Sequence, residues 1–111
     1  MVSNRFTQFD VWLINLDPTI GSEIKKTRPC VIISPNEINF LKTVIVAPLT
    51  SKGFKAPTRI SCDFNETNSF ILLDQIRAVD KKRLIKNLGK INIKVQKKVS
   101  ETLVEMFTFL N

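Results

Sequence analysis

Short apolar runs, each closed by proline, glycine or a polar cluster, fill most of the chain, and only the last stretch changes to helical spacing. Runs this short and this rich in β-branched residues read as strands. Residues 10–16 (DVWLINL) form the first and stop at Asp17-Pro18, which cannot continue a ladder. A polar loop follows over residues 19–27. Residues 31–34 form a short strand closed by Pro35, and PNEINFLK after it reads as a loop with at most one helical turn. Residues 43–49 (TVIVAPL) are the most apolar segment and predict a buried strand, with Pro48 implying an edge or a break in the ladder.

Residues 50–57 (TSKGFKAP) have the composition of an exposed connection. Two strands follow, 58–64 and 69–76, around the turn-like Asn65-Glu66-Thr67-Asn68. Arg59, Ser61 and Asp63 alternate with Ile60, Cys62 and Phe64, the mark of a sheet with one wet face. Asp80 is a plausible N-cap for a basic helical turn over 81–85, and Gly89 is expected to break the chain before 90–94. From about Val95 to Leu110, the apolar residues Val99, Leu103, Met106, Phe107 and Leu110 recur every three or four positions, which predicts an amphipathic helix packed on the core. Five or more short strands and one C-terminal helix predict an α+β fold, a small barrel or curled antiparallel sheet. With no repeat or linker, the 111 residues fit a single domain.

The formal charge of +7, from seventeen Lys and Arg against ten Asp and Glu, predicts an anionic partner. Much of the excess is local, because Lys81 to Lys98 carries eight basic residues and no acid. That stretch reads either as a solvated face or as a polyanion contact. The chain contains no His and no Tyr, so a Ser-His-Asp triad and a histidine-pair ribonuclease mechanism are both excluded. With only two cysteines, a zinc site is not expected, nor any other cofactor. Cys30 and Cys62, set among apolar neighbours, read as reduced core thiols. No apolar run reaches a membrane span and MVSNRFTQFDVW lacks a secretory layout, so a cytoplasmic location is expected.

Residues 17–29 (DPTIGSEIKKTRP) resemble the opening signature of the MazF/PemK toxin family. The resemblance continues through VIISP at 31–35, APLTS at 47–51 and DQIRAVDKKRL at 74–84, and reaches the C-terminal helix. It implies an SH3-like barrel, a twofold homodimer, sequence-specific and metal-independent cleavage of single-stranded RNA, growth arrest, and inhibition by a cognate acidic MazE-like antitoxin. A basic protein suits such a partner as well as it suits RNA.

Metal-free cleavage has the 2′-hydroxyl attack its own phosphate in line, leaving a 2′,3′-cyclic phosphate and a 5′-hydroxyl; the enzyme must manage two proton transfers and the phosphorane charge. By resemblance, Arg28 is the family's essential arginine, whose forked donors suit phosphate oxygens. Thr50 matches the threonine after the buried strand, and Glu23 the loop glutamate that acts as base or organises Arg28. Arg28 and Glu23 read equally as a surface ion pair, and Thr50 as a strand-end cap. Asp74 and Gln75 match the DQ pair, which supports the site, touches a base, or simply forms a strand-end turn. Base recognition falls to the loops, with Thr19, Gly21, Ser22, Lys25, Thr27, Ser51 and Arg77 as RNA contacts and Phe54 as a stacking residue or a loop anchor.

Two positions depart from the pattern. Leu72 stands where some members carry a catalytic arginine, and Ser22 where some carry a histidine, which shifts the chemistry onto Arg28 and Thr50. Two other readings are a non-enzymatic toxin that poisons a topoisomerase, and an RNA-binding barrel whose 81–98 stretch grips phosphates without cutting.

Overall fold

The computed structural model describes residues 5–16 and 26–108. Seven strands make one curled antiparallel sheet, followed by a single helix: β1 (Asp10–Asn15), β2 (Thr27–Ile32), β3 (Thr43–Thr50), β4 (Arg59–Phe64), β5 (Thr67–Leu72), β6 (Arg77–Asp80), β7 (Leu84–Lys90) and α1 (Ile93–Met106). The strand order is β4-β5-β3-β2-β1-β7, and β6 pairs with β3 off that path.

β3 is the hinge of the sheet. One of its edges pairs with β2 through Val46, Ala47 and Pro48. The other pairs first with β6, from Thr43 to Val46, and then with β5 at Leu49 and Thr50. Pro48 falls in the gap between β6 and β5, where a missing N–H costs no ladder bond. It therefore marks a break and not an edge; β3 is the most central strand, with three partners.

Strand alternation sends side chains to both faces of β1, β2 and β3, and each face builds its own core. Val11, Val31, Ala47, Leu49, Ile60 and Ile71 pack under α1, against its buried Val99 and the half-buried Val95, Leu103 and Met106. Trp12, Ile14, Cys30, Ile32, Val44 and Val46 form the second cluster, closed by Val79 and Leu84. Phe6 covers it, its ring 5.0 Å from that of Trp12, with the Arg5 guanidinium over both rings. Each buried aliphatic side chain contributes about 1.5–3 kcal/mol, so two small cores do the work of one large one.

Several expectations change at the element ends. Asn65 and Glu66 both take positive φ (48° and 63°), so the β4–β5 hairpin turns in two residues and β5 begins at Thr67. That strand ends at Leu72, and Leu73–Gln75 forms a 3-10 turn. Asp80 caps the 3-10 turn Lys81–Arg83 by accepting from the Lys82 amide, as expected. Gly89, in contrast, does not break the chain. β7 runs through it at φ 131°, and the register against β1 skips a residue there, so glycine accommodates a bulge in a backbone conformation that other residues rarely adopt.

The helix begins at Ile93, two residues early, because Asn92 accepts from the Val95 amide. Phe107 lies beyond its end and is 70% exposed, so it leaves the predicted core stripe; Leu110 is outside the described residues. Among the described residues no helix is long and apolar enough to cross a membrane. Cys30 and Cys62 are free and buried, and burial pushes the Cys30 thiol up to about 12 against the pull of the Arg28 and Arg77 guanidiniums.

Candidate active site

β2 and β3 bring the predicted residues to one groove. Their ladder runs from Ile32–Val46 to Cys30–Pro48, and beyond it β2 carries Arg28 and Thr27 while β3 carries Thr50. Across their other neighbours, Arg28 faces Ile14 of β1 and Thr50 faces Phe70 of β5. Arg28 lies two residues from Cys30, and Thr50 two residues from its partner Pro48, so strand alternation sets both on one face of the sheet. Arg77, opposite Val46 on β6, belongs to that face as well, and its charge reaches Cys30 together with that of Arg28.

Arg28 is exposed, and no ion pair holds it among the described residues. Its guanidinium is therefore available to an anion. The Thr50 hydroxyl accepts from the Lys52 amide at 3.1 Å, so the strand-end role is real, and its proton remains free to donate. Thr27–Pro29, Leu49–Ser51 and the β4–β5 hairpin around Phe64, Asn65 and Thr67 line an open groove of about 370 Å3.

Asp74 belongs to a second cluster beside this one. Arg59 grips its carboxylate with two nitrogens, both at 3.3 Å, and the Thr58 hydroxyl adds a bond at 3.2 Å. The Phe54 ring lies over the same guanidinium at 4.4 Å, so the largely exposed Phe54 is anchored through Arg59. Gly53 joins the clusters: a Cβ built there lies 3.6 Å from both Arg59 Nη1 and Thr50 Cγ2. Gln75 is exposed in the same 3-10 turn as Asp74 and stands apart from the Arg28–Thr50 pair. Glu23, Thr19, Gly21, Ser22 and Lys25 lie outside the described residues.

Arg59 is the residue that sequence reasoning misses. Arg59 reads only as a polar member of a wet strand face, and its partner Asp74 is fifteen positions away. Only the β4–β5 pairing, which sets Arg59 opposite Leu72, delivers one to the other.

The hydrogen bonds from Arg59, more than any other cause, hold the Asp74 carboxyl below its ordinary 3.8. A depressed carboxyl pKa gives stability that is complete above the unfolded-state value and is lost as pH falls through the folded one. We expect a carbon-detected NMR titration to place Asp74 below 3.8, and Arg59→Ala to move it back up. An unchanged midpoint in the variant would remove the clamp.

A curled antiparallel sheet closed by one helix, with an arginine that no described acid engages and a threonine lining the same groove, defines a small single-sheet protein with an anion-seeking face. The sequence model of the PemK-like, MazF-like toxins of type II toxin–antitoxin systems matches residues 7–107, and the chain belongs to that family. It is 38% identical over 102 residues to the endoribonuclease EndoA of Bacillus subtilis, covering 85% of this chain and 87% of that protein. Among solved structures, it resembles a mycobacterial endoribonuclease in complex with its cognate antitoxin, with a TM-score of 0.78 at 18% identity over 94% of this chain and 98% of the other. A MazE–MazF structure from Deinococcus radiodurans gives 0.75 at 20% identity, over 90% and 94% of the two chains. At such identities the structural likeness speaks for the fold.

Proposed function

We propose that this chain is a sequence-specific, metal-independent endoribonuclease that acts in the cytoplasm as one toxin domain over residues 1–111, cuts single-stranded mRNA and arrests growth. The observation that carries this reading is the groove that Arg28 and Thr50 line together, with the guanidinium unengaged by any described acid.

In this scheme the 2′-oxygen attacks the adjacent phosphorus and the P–O5′ bond breaks. The 2′-proton leaves to a base and the 5′-oxygen gains one, so the products are a 2′,3′-cyclic phosphate and a 5′-hydroxyl, with no water consumed. Arg28 supplies two parallel donors to the non-bridging oxygens, which carry most charge in the phosphorane. A guanidinium holds its proton too firmly to be a good proton carrier, so its work is electrostatic. Thr50 donates its hydroxyl proton to the phosphate while its oxygen accepts the Lys52 amide. Glu23 takes the base's role or orients Arg28.

Thr27, Ser51, Phe54 and Arg77 serve as RNA contacts, with Thr19, Gly21, Ser22 and Lys25 from the preceding loop. Asp74, engaged by Arg59, orients the Phe54 platform beside the phosphate site. Gln75, exposed next to it, is left free to meet a base. The same cationic face suits the acidic tail of a MazE-like antitoxin, and a homodimer doubles its charge.

The test is a long RNA of defined sequence incubated with the protein and EDTA, followed by mapping of the new 5′ ends. Cuts at one short recurring sequence, with 5′-hydroxyl ends and undiminished by the chelator, are expected. RNA left intact, or cut only when a divalent metal is restored, would overturn the proposal.

A further inference from the structure

β4 is one end of the sheet, and its outer edge is not paired with any strand among the described residues. In a hairpin closed by a two-residue turn, Phe64 and Thr67 exchange both ladder bonds, and so do the pairs Cys62–Ser69 and Ile60–Ile71. The N–H and C=O groups of Ser61 and Asp63 therefore point outward. Arg59, the next in that series, spends its N–H on the Ala56 carbonyl.

This free edge faces the flank of α1. A cleft of about 640 Å3 lies between them, floored by Ile60 and Val95 and bordered by Ser61 and Asp63 on one side and Lys94, Lys97 and Lys98 on the other. The three lysines sit at i, i+3 and i+4, one stripe of the helix, and all are exposed. They make no ion pair among the described residues. Elsewhere in the basic 81–98 stretch, three cations are structural: Lys90 pairs with Asp10, Lys81 donates to the Asn39 carbonyl and Arg83 to that of Asn15.

We propose that this cleft docks an extended acidic peptide segment of a partner protein, which adds to β4 as an eighth strand and sets its carboxylates against Lys94, Lys97 and Lys98. The edge supplies alternating donors and acceptors at the spacing of a second strand. The lysines select for acidic side chains, and the Ile60–Val95 floor takes the apolar residues between them. RNA fits less well, because a phosphate on every nucleotide would also meet Asp63 and Glu101 at the cleft's margins, whereas a peptide can space its acids to match the lysines. The cleft lies across β5 from Thr50, so docking here is separable from the Arg28 face.

The probe is a capped ten-residue peptide of alternating valine and glutamate, titrated into 15N-labelled protein. Binding should shift the Ser61 and Asp63 amides and slow their exchange with solvent. The triple variant Lys94→Glu/Lys97→Glu/Lys98→Glu should weaken binding about tenfold or more and favour the matching valine–lysine peptide. Ser61→Pro, which removes an outward N–H without touching the β5 ladder, should weaken it independently. Shifts confined to the neighbourhood of Arg28 and Thr50, affinity indifferent to charge reversal, or protection of Ser61 and Asp63 by a ten-nucleotide RNA but not by the peptide would each overturn the proposal.

Discussion

Arg28→Ala is expected to lower RNA cleavage by about a thousandfold, with the circular dichroism spectrum and thermal midpoint almost unchanged. The guanidinium is exposed and bound to no described acid, so the fold loses little on its removal, about 0.5 kcal/mol or less. Phosphorane stabilisation is where the loss falls, because two charge-assisted donors aimed at the non-bridging oxygens act only as charge develops. Arg28→Lys keeps the charge and loses the fork, and should recover roughly one or two powers of ten. Initial rates on a single-site RNA at saturating substrate separate the two variants. Near-normal cleavage by Arg28→Ala, at matched concentration and fold, would remove Arg28 from the chemistry.

Asn39→Ala should do the reverse, weakening the fold and sparing the site. Asn39 is 1% exposed in the turn between β2 and β3. Its amide donates to the Phe6 and Ser34 carbonyls, and its oxygen accepts from the Ser34 hydroxyl at 2.7 Å. That hydroxyl in turn accepts the Ile45 amide at the start of β3. One side chain thus ties the N-terminal approach, the turn and the central strand. Truncation leaves buried carbonyls unpaired, at a cost of about 2–3 kcal/mol, which lowers the thermal midpoint by about 8–15 °C. Well below that midpoint, cleavage should match the parent. A midpoint within about 2 °C of the parent would mean that water replaces the network.

Local signals were sufficient for most of the strands and for the helix. Alternation of Arg59, Ser61 and Asp63 with Ile60, Cys62 and Phe64 reflects a sheet with one wet face, and burial follows it, with Ile60 and Cys62 inside and Ser61 and Asp63 outside. The Asp80 cap needed no tertiary information, since its carboxylate bonds an amide two residues away. Local reasoning failed where a residue type has two uses. Gly89 punctuates a chain or accommodates a bulge, and the choice rests on its pairing with Val11 of β1, a neighbour remote in sequence. The basic character of residues 84–90 hid a strand, because β7 has one strongly buried residue, Leu84, and an otherwise largely exposed surface.

The anion-seeking face followed the same division. Composition and the absence of histidine limited the chemistry to carboxylates, hydroxyls, lysines and arginines, and the TRP and PLTS motifs nominated Arg28 and Thr50. What brings those two to one groove is the pairing of β2 with β3, and what gives Asp74 a partner is the β4–β5 register. Sequence by itself determined most of the strands, the helix and the reactive groups, since these rest on propensity, alternation and charge within a few residues. Tertiary structure alone decided which groups meet and which edge stays open, because strand pairing joins residues far apart in the chain through backbone hydrogen bonds that carry no side-chain signature.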